Sequence, residues 1–202
     1  MEFDRGRDPD KYAWIWLGDY QRLSEARVFR NWTIERFDAP DGARFHYGAD
    51  WGFSTDPTVL VRFFLDGRRL LIDAEAYAVG CAIDAIPALF DTVPGARRWP
   101  IIADPARPET IAYLRARGFA VTPARKGPGS VEDGIAFLQS HDIVVHPRCR
   151  HAIDELSLYA YKTDRLTGAV LPLLDDAKNH VIDALRYAVE GVRHGASVMD
   201  VL

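Results

Sequence analysis

One strand-like segment, residues 45–52, constrains the fold of this chain more than any other. Apolar side chains alternate along it from Phe45 to Trp51, which is the pattern of a strand with one face in a core. Asp50 stands within the same segment, between Gly48 and Gly52. A carboxylate in a buried strand is costly unless a partner or a metal ion neutralises it. Asp50 therefore predicts a functional site, and we looked for its partners in the rest of the chain.

Three consecutive strands, followed by alternating strands and helices, are predicted from the residue pattern. The first three strands cover residues 44–52, 58–65 and 69–78, and Asp66-Gly67 is the hairpin turn between the last two. Further strands are predicted at residues 99–104, 119–123 and 143–146. Helices are predicted at residues 83–92, 109–117, 130–139 and 149–161, and from about 179 to about 193.

Cap residues support two of these helices. Pro108 fits the first position of the helix at 109–117, and Gly118 fits its C-terminal stop. Ser130 and Asp133 have the spacing of a capping box, which predicts that Ser130 caps the helix at 130–139.

This order predicts an α/β fold with a mixed sheet, in which the first three strands are antiparallel, the later ones are parallel, and helices flank both faces. It is the ribonuclease H-like plan. Residues 1–43 lack a sustained hydrophobic period and are interpreted as an arm or linker, with a first hairpin of the fold as the alternative. The domain itself is expected over residues 44–202.

Composition narrows the functional class. The chain has 48% hydrophobic and 27% charged residues, as ordinary soluble domains do. Its net charge of -4 argues against a general nucleic-acid coat, but metal-binding carboxylates would leave room for a nuclease. Two cysteines make neither a disulfide framework nor a zinc site. The sequence shows no membrane span, signal peptide or phosphate-binding P-loop motif.

Three acids occupy positions that solvent exposure alone does not explain: Asp50 in the first strand, Asp104 at the end of the fourth, and Asp183 on the last helix. Clustered carboxylates repel each other unless cations neutralise them, and Mg²⁺ and Mn²⁺ prefer oxygen ligands. Two such ions about 4 Å apart can activate a water and stabilise a leaving oxygen during phosphodiester hydrolysis. We expect Asp50 to contact both ions, and Asp104 and Asp183 to hold one each.

Each acid also has a structural interpretation. Asp104 alone could cap a turn or helix, and Asp183 alone could be an exposed helix residue. Asp56 precedes a proline and could initiate a turn, and His180 could be a residue of the helix start; both remain further metal-ligand candidates.

Several basic residues are candidates for contacts with a DNA backbone, because phosphate contacts dominate such affinity. Surface solubility is the alternative for each of them. They are Lys126, Lys162, Arg165 and Lys178.

Three segments together resemble the C-terminal nuclease domain of the large terminase subunit of tailed bacteriophages and prophages. They are Gly48-Ala49-Asp50-Trp51-Gly52-Phe53-Ser54-Thr55-Asp56-Pro57, Ile102-Ala103-Asp104-Pro105-Ala106 and Asn179-His180-Val181-Ile182-Asp183-Ala184-Leu185-Arg186-Tyr187-Ala188. The resemblance covers about residues 44–193. Residues 8–20 are similar to the segment that joins the motor ATPase to the nuclease in this family.

The resemblance implies a metal-dependent endonuclease that cuts concatemeric double-stranded viral DNA during genome packaging. It assigns two divalent ions, Mg²⁺ or Mn²⁺, to Asp50, Asp104 and Asp183, with Asp56 as a possible fourth acid and His180 before the last one. The implied partners are DNA, the terminase small subunit, the portal and the motor ATPase domain, in the cytoplasm of a bacterial host, with no membrane and no secretion. This chain lacks the ATPase and is expected to be an excised or truncated domain.

Two other functions stay open at this point. One is another ribonuclease H-like nuclease, such as a junction resolvase. The other is a catalytically silent module that clamps DNA or docks the motor.

Overall fold

A computed structural model describes residues 26–52, 54–164, 166–175 and 179–199, with side chains of the last helix described as far as residue 192. The chain divides into two compact units. One unit comprises Asn31–Leu156 and Asn179–Leu202, and the other comprises Met1–Arg30 and Ser157–Lys178.

A seven-stranded sheet forms the larger unit, in the order β1-β7-β4-β3-β2-β5-β6. Neighbouring strands from β2 to β4 are antiparallel, and all other pairs are parallel. The strands are β1 (Trp32–Ile34), β2 (Phe45–Asp50), β3 (Pro57–Asp66), β4 (Arg69–Val79), β5 (Ile101–Ala103), β6 (Val121–Pro123) and β7 (Asp142–Val145). The helices are α1 (Ile86–Phe90), α2 (Pro108–Ala116), α3 (Ser130–Gln139), α4 (Arg150–Leu158) and α5 (His180–Met199). The predicted mixed sheet is confirmed.

The smaller unit contains an antiparallel hairpin of β8 (Tyr161–Thr163) and β9 (Val170–Leu174). Asp164 shapes the turn at its tip, because its carboxylate accepts hydrogen bonds from the backbone N–H groups of Leu166 and Thr167. Val28 joins this unit through a backbone hydrogen bond to Tyr159, and Phe29 stacks on the Tyr159 ring.

The predicted turn and cap signals have mixed outcomes. Gly67 turns between β3 and β4 with a φ of 57°, and Gly118 ends α2 with a φ of 87°, as the sequence predicts. The capping box at Ser130 is wrong. Gly129 is the N-cap, with a left-handed φ of 78°, and Ser130 is the first helical residue. Glycine takes the left-handed conformation without the steric cost that serine would incur, so Gly129 serves as the cap and the helix starts one residue earlier than a Ser130 cap would give.

Residues 31–43 belong to the larger unit. Trp32–Ile34 form an edge strand parallel to β7, and Phe37 packs against the apolar cluster at Phe64. The strand pairs with a distant segment, so it is not the first half of a hairpin. The domain boundary between residues 43 and 44 stays a prediction, and residues 1–25 lie outside the described residues.

A hydrophobic core lies on one face of the sheet. Side chains alternate between the faces of a strand, so Tyr47 and Ala49 of β2 share this face and meet Phe90 of α1 within one apolar cluster. Trp51 stacks on Phe90, with ring centroids 6.0 Å apart, as expected for a core residue.

The opposite face of β2 receives helix α5 at Gly48. A Cβ atom at Gly48 would lie 1.8 Å from the carbonyl oxygen of Ala184 and 2.9 Å from the Cβ of Ala188. Only glycine permits this backbone approach. Asp50 lies two residues along the strand from Gly48, so its side chain points to the same face as α5.

Replacing Gly48 by alanine should displace α5 from β2 or unfold the domain. We expect a loss of at least about 1–3 kcal/mol in the free energy of unfolding, because the new methyl group meets backbone rather than a flexible side chain. Urea denaturation measures the loss. Gly127→Ala is the matched control, since no atom lies within 4 Å of a Cβ there. Equal stability of the two variants would contradict the close-contact interpretation.

Candidate functional site

Asp50 and Asp104 lie side by side at the C-terminal ends of two parallel strands. Ala49 pairs with Ala103, and the backbone N–H of Asp104 donates to the Ala49 carbonyl over 3.0 Å. Neighbouring strands are about 4.8 Å apart, so the two acids emerge next to each other. Only 7% of Asp50 and 8% of Asp104 is exposed. The sequence predicts this adjacency.

Asp183 comes to the same place from the first turn of α5, next to Ala184 where the helix meets Gly48. Burial raises the pKa of Asp183, the nearby Arg186 opposes that shift, and the charge of Asp50 adds to it.

Tyr187, one turn further along α5, lies beside Asp104 and near the other two acids. Its hydroxyl lies 3.4 Å from Oδ1 of Asp104. Burial raises the pKa of this phenol, and the charges of Asp104, Asp183 and Asp50 raise it further. All three carboxylates are therefore near enough for their charges to act on this phenol, and Asp104 is in contact with it.

Each of the three acids has a basic partner. His180 Nδ1 lies 2.9 Å from Oδ2 of Asp50, and Lys126 Nζ lies 2.6 Å from Oδ1 of Asp104. Arg186 donates to Oδ1 of Asp183 from Nη2 at 2.7 Å and from Nε at 3.0 Å. Within the described part of the chain, no three His, Cys, Asp or Glu side chains are grouped tightly enough to hold one ion. The carboxylates instead turn toward three separate basic side chains.

His180 interacts with both Asp50 and Asp56. Its hydrogen bond with Asp50 raises the pKa of His180, although burial of the ring opposes this shift. Nε2 lies 3.9 Å from Oδ1 of Asp56, whose side chain is 61% exposed. Asp56 therefore lies at the rim of the site, whereas Asp50 lies inside it.

Neighbouring loops fix the two strand ends. The Trp51 indole Nε1 donates to the Asp104 carbonyl over 2.7 Å, and Arg107 donates to the Gly52 carbonyl over 3.0 Å. The Ala106 N–H also donates to Oδ1 of Asp104 over 3.3 Å. The bonds from Trp51 and Arg107 cross between the two acid-bearing segments and hold their separation, whereas the Ala106 bond orients the Asp104 carboxylate within its own segment.

A cavity of about 790 Å³ opens beside Asp183. Both Lys126 and Arg186 line it, and Arg125 adds a third cation. The backbone N–H of Arg125 is held by the Glu190 carboxylate of α5, at 2.8 and 3.0 Å. The cavity thus joins the acids to a basic wall.

The other proposed DNA contacts are not brought together with Lys126 by any described geometry. Lys162 is exposed on β8, in the smaller unit. Arg165 and Lys178 lie outside the described residues. That these residues share a side with the acids stays a prediction.

Sequence reasoning missed Arg186, Tyr187 and Glu155. The first two lie three and four residues after Asp183, so helical spacing could have pointed to them. Glu155 of α4 carried no such signal. It is 4% exposed and accepts the N–H groups of Val181 and Ile182, at 2.7 and 3.2 Å. Burial raises the pKa of Glu155 to about 7 from 4.5, although these two N–H groups oppose the shift.

No helix among the described residues has the length and apolar character that crossing a membrane requires.

The strand order, the acids at the ends of adjacent parallel strands and the covering helix define a ribonuclease H-like domain. The family described as the terminase RNase H-like domain matches residues 50–191, and this chain belongs to that family.

Two large terminase subunits are similar in sequence. That of Bacillus phage SPP1 is 35% identical over 199 residues, covering 91% of this chain and 46% of that protein. The PBSX phage terminase large subunit of Bacillus subtilis (strain 168) is 29% identical over 149 residues, covering 72% of this chain and 34% of that protein. The chain therefore spans less than half the length of either relative.

A solved structure gives the corresponding comparison of folds. The crystal structure of the large terminase nuclease domain from bacteriophage SPP1 with bound Mn has a TM-score of 0.71 and 30% sequence identity to this chain. The match covers 81% of this chain and 98% of that domain.

The buried Glu155 makes stability depend on pH. Its pKa of about 7 in the folded chain exceeds the ordinary 4.5, so the folded state binds this proton more tightly than the unfolded state does. The resulting stabilisation is fully present below 4.5 and is lost as pH rises through about 7. The charges of His180 and Asp183 also act on Glu155. The pKa of His180 is itself raised in the folded chain, so its deprotonation likewise lowers the stability as pH rises.

We therefore expect the free energy of unfolding to fall between about pH 5 and about pH 8, and Glu155→Gln to reduce that fall. Urea titrations of both proteins across this range measure the difference. Identical pH profiles for the wild type and the variant would contradict the assignment.

Proposed function

We propose that this chain is a metal-dependent endonuclease that hydrolyses phosphodiester bonds of double-stranded DNA. The observation that carries the proposal is the juxtaposition of buried Asp50 and Asp104 at neighbouring strand ends, with Asp183 on the helix above them. Membership of the terminase RNase H-like family supports it. So does the likeness to the SPP1 nuclease domain, whose crystal structure contains Mn.

The donor set fits Mg²⁺ or Mn²⁺. Asp50, Asp104 and Asp183 offer carboxylate oxygens, which these hard cations prefer, and such ions keep several water ligands, so small protein ligand sets suffice. The basic partners of these acids indicate that the site needs positive charge. We assign Asp50 to both ions, Asp104 to one and Asp183 to the other, with His180 and rim residue Asp56 as further candidate ligands.

Two bound ions would activate a water and stabilise the leaving oxygen of the cleaved phosphodiester. The residues of this chain prepare the site for that chemistry. His180 holds a proton on Nδ1 against Asp50 and orients that carboxylate. Trp51 and Arg107 fix the strand ends that carry the acids. Lys126, beside Asp104 and 51% exposed, can reach a DNA phosphate and position the strand.

In its biological setting, we propose that the domain cuts concatemeric viral DNA during genome packaging. The proposed partners are the motor ATPase domain, the terminase small subunit and the portal, in the cytoplasm of the bacterial host. The match to part of the SPP1 and PBSX large subunits supports this assignment, because the rest of each relative extends beyond this chain.

Substitution of the acids tests the activity. We expect Asp50→Asn to abolish nicking of supercoiled plasmid in Mg²⁺ and Mn²⁺, because it removes the charge assigned to both ions. Asp104→Asn and Asp183→Asn should each lose activity by at least about a hundredfold, since outer-sphere changes alone cost 10–100-fold. Excess Mn²⁺ should restore a trace in these two. Asp56→Asn should be milder, because that side chain is largely exposed.

Asp91→Asn is the matched control, because Asp91 pairs with Arg97 on the surface and has no contact with the acids. Full activity of Asp50→Asn would overturn the two-metal assignment. Preference for a four-way junction over linear duplex would favour a resolvase, and DNA binding without nicking in any metal would favour a silent clamp.

Lys126 should contribute to DNA affinity through a phosphate. We expect Lys126→Ala to weaken duplex binding. The slope of log affinity against log salt is negative, and its magnitude should fall by about one. Alanine substitution of the other candidates, Lys162, Arg165 and Lys178, should act in the same direction. Fluorescence anisotropy in Ca²⁺ measures both quantities. Arg68→Ala is the control, because Arg68 is an exposed cation paired with Asp142. An unchanged slope would return Lys126 to a structural role.

A further inference from the structure

Glu155 caps helix α5 from a different helix. Its Oε2 atom accepts hydrogen bonds from the backbone N–H groups of Val181 and Ile182, at 2.7 and 3.2 Å. The first N–H groups of a helix have no acceptor within the helix, so another group has to accept them when the helix start is buried. Both Val181 and Ile182 are fully buried, and water does not reach them.

These two N–H groups lie between His180 and Asp183 in the sequence. A capping acceptor fixes the rotation and the height of the first turn of a helix, so Glu155 sets where both neighbours point. Nδ1 of His180 lies 2.9 Å from Oδ2 of Asp50. The charge of Asp50 also raises the pKa of Asp183. The charges of His180 and Asp183 also act on Glu155, which places all of these groups in one neighbourhood.

Packing alone does not require a carboxylate at this position. The middle of α5 is already held on β2 by the contact of Gly48 with Ala184 and Ala188, and by buried apolar residues such as Leu185. Burial of a carboxylate costs stability, and Oε1 of Glu155 has no hydrogen-bond partner among the described residues. A leucine would fill the same space without that cost. The contribution of Glu155 is therefore to orient the first turn of α5, through the two N–H groups that it accepts.

We propose that Glu155 is a positioning residue of the metal site, which acts through the first turn of α5 to hold His180 and Asp183 against Asp50. This inference rests on the proposed role of Asp183 as a metal ligand. This role requires a hydrogen-bond acceptor oxygen and does not require a negative charge. Oε2 of Glu155 accepts both N–H groups whether or not Oε1 carries a proton. Glutamine keeps such an acceptor, and leucine removes it at similar volume.

Calorimetric titration with MnCl₂ in the absence of DNA tests the role. We expect Glu155→Leu to raise the Mn²⁺ dissociation constant by about tenfold or more, the range found when partners of metal ligands are removed. Glu155→Gln should bind Mn²⁺ nearly as the wild type does. In plasmid nicking, Glu155→Leu should lower kcat and leave KM for DNA unchanged, because the substrate contacts lie elsewhere.

Leu70→Ala controls for a general loss of stability. Leu70 is buried in β4 and pairs with Leu65, six positions along β3 from the residue that pairs with Asp50. The Leu70→Ala variant should be less stable than the wild type and should bind Mn²⁺ with the same affinity.

The outcomes separate this inference from the proposed function. Wild-type Mn²⁺ affinity in Glu155→Leu, or the same loss in Leu70→Ala, would overturn the positioning role alone. Equal losses in Glu155→Gln and Glu155→Leu would overturn it as well, because charge would then be the working property. A wild-type chain that binds no Mn²⁺ would overturn the proposed function, and this role toward the metal with it.

Discussion

Burial of negative charge is the constraint on which the rest of this structure depends. Asp50, Asp104 and Glu155 are each at least nine-tenths buried, and Asp183 is mostly so. Unpaired carboxylates in such surroundings would destabilise the domain by several kcal/mol each. The fold meets this demand in two ways. Basic side chains on α5 and on the loop after β6 face the three aspartates, whereas helix N–H groups face the glutamate.

These two ways of neutralising charge have different chemical consequences. A basic side chain such as Lys126 can move away, since half of it is exposed, and it leaves behind a carboxylate that favours another cation. Backbone N–H groups cannot move without unwinding the helix. Asp104 thus keeps an exchangeable partner and remains available as a ligand, while Glu155 is committed to the scaffold.

Much of the fold could be predicted from local sequence patterns. The hairpin at Gly67, the stop at Gly118 and the strand that ends beside Asp104 were all predictable, because each depends on residues near one another in the chain. The wrong cap at Ser130 has the same local origin. Its spacing matched a capping box, but Gly129 beside it takes the left-handed conformation more easily.

Some contacts between residues far apart in the chain were the part of the structure that the sequence did not predict. The acids could be predicted because an aspartate in an apolar strand is conspicuous, and the adjacency of Asp50 and Asp104 follows from parallel strand ends. The capping of α5 by Glu155 joins residues 26 positions apart, in an orientation that only the packed helices define. The edge strand β1 likewise pairs with a segment more than a hundred residues away, and no local period announces it.

The contact at Gly48 bears on how far sequences of this kind can diverge. It joins backbone to backbone, so it places a demand only on the glycine and on the small residues Ala184 and Ala188 opposite it. At this point the height of the helix above the sheet is set by backbone atoms rather than by a larger side chain. The arrangement of the acids therefore depends at this contact on three small residues, and a larger side chain at any of them would shift the helix that carries Asp183.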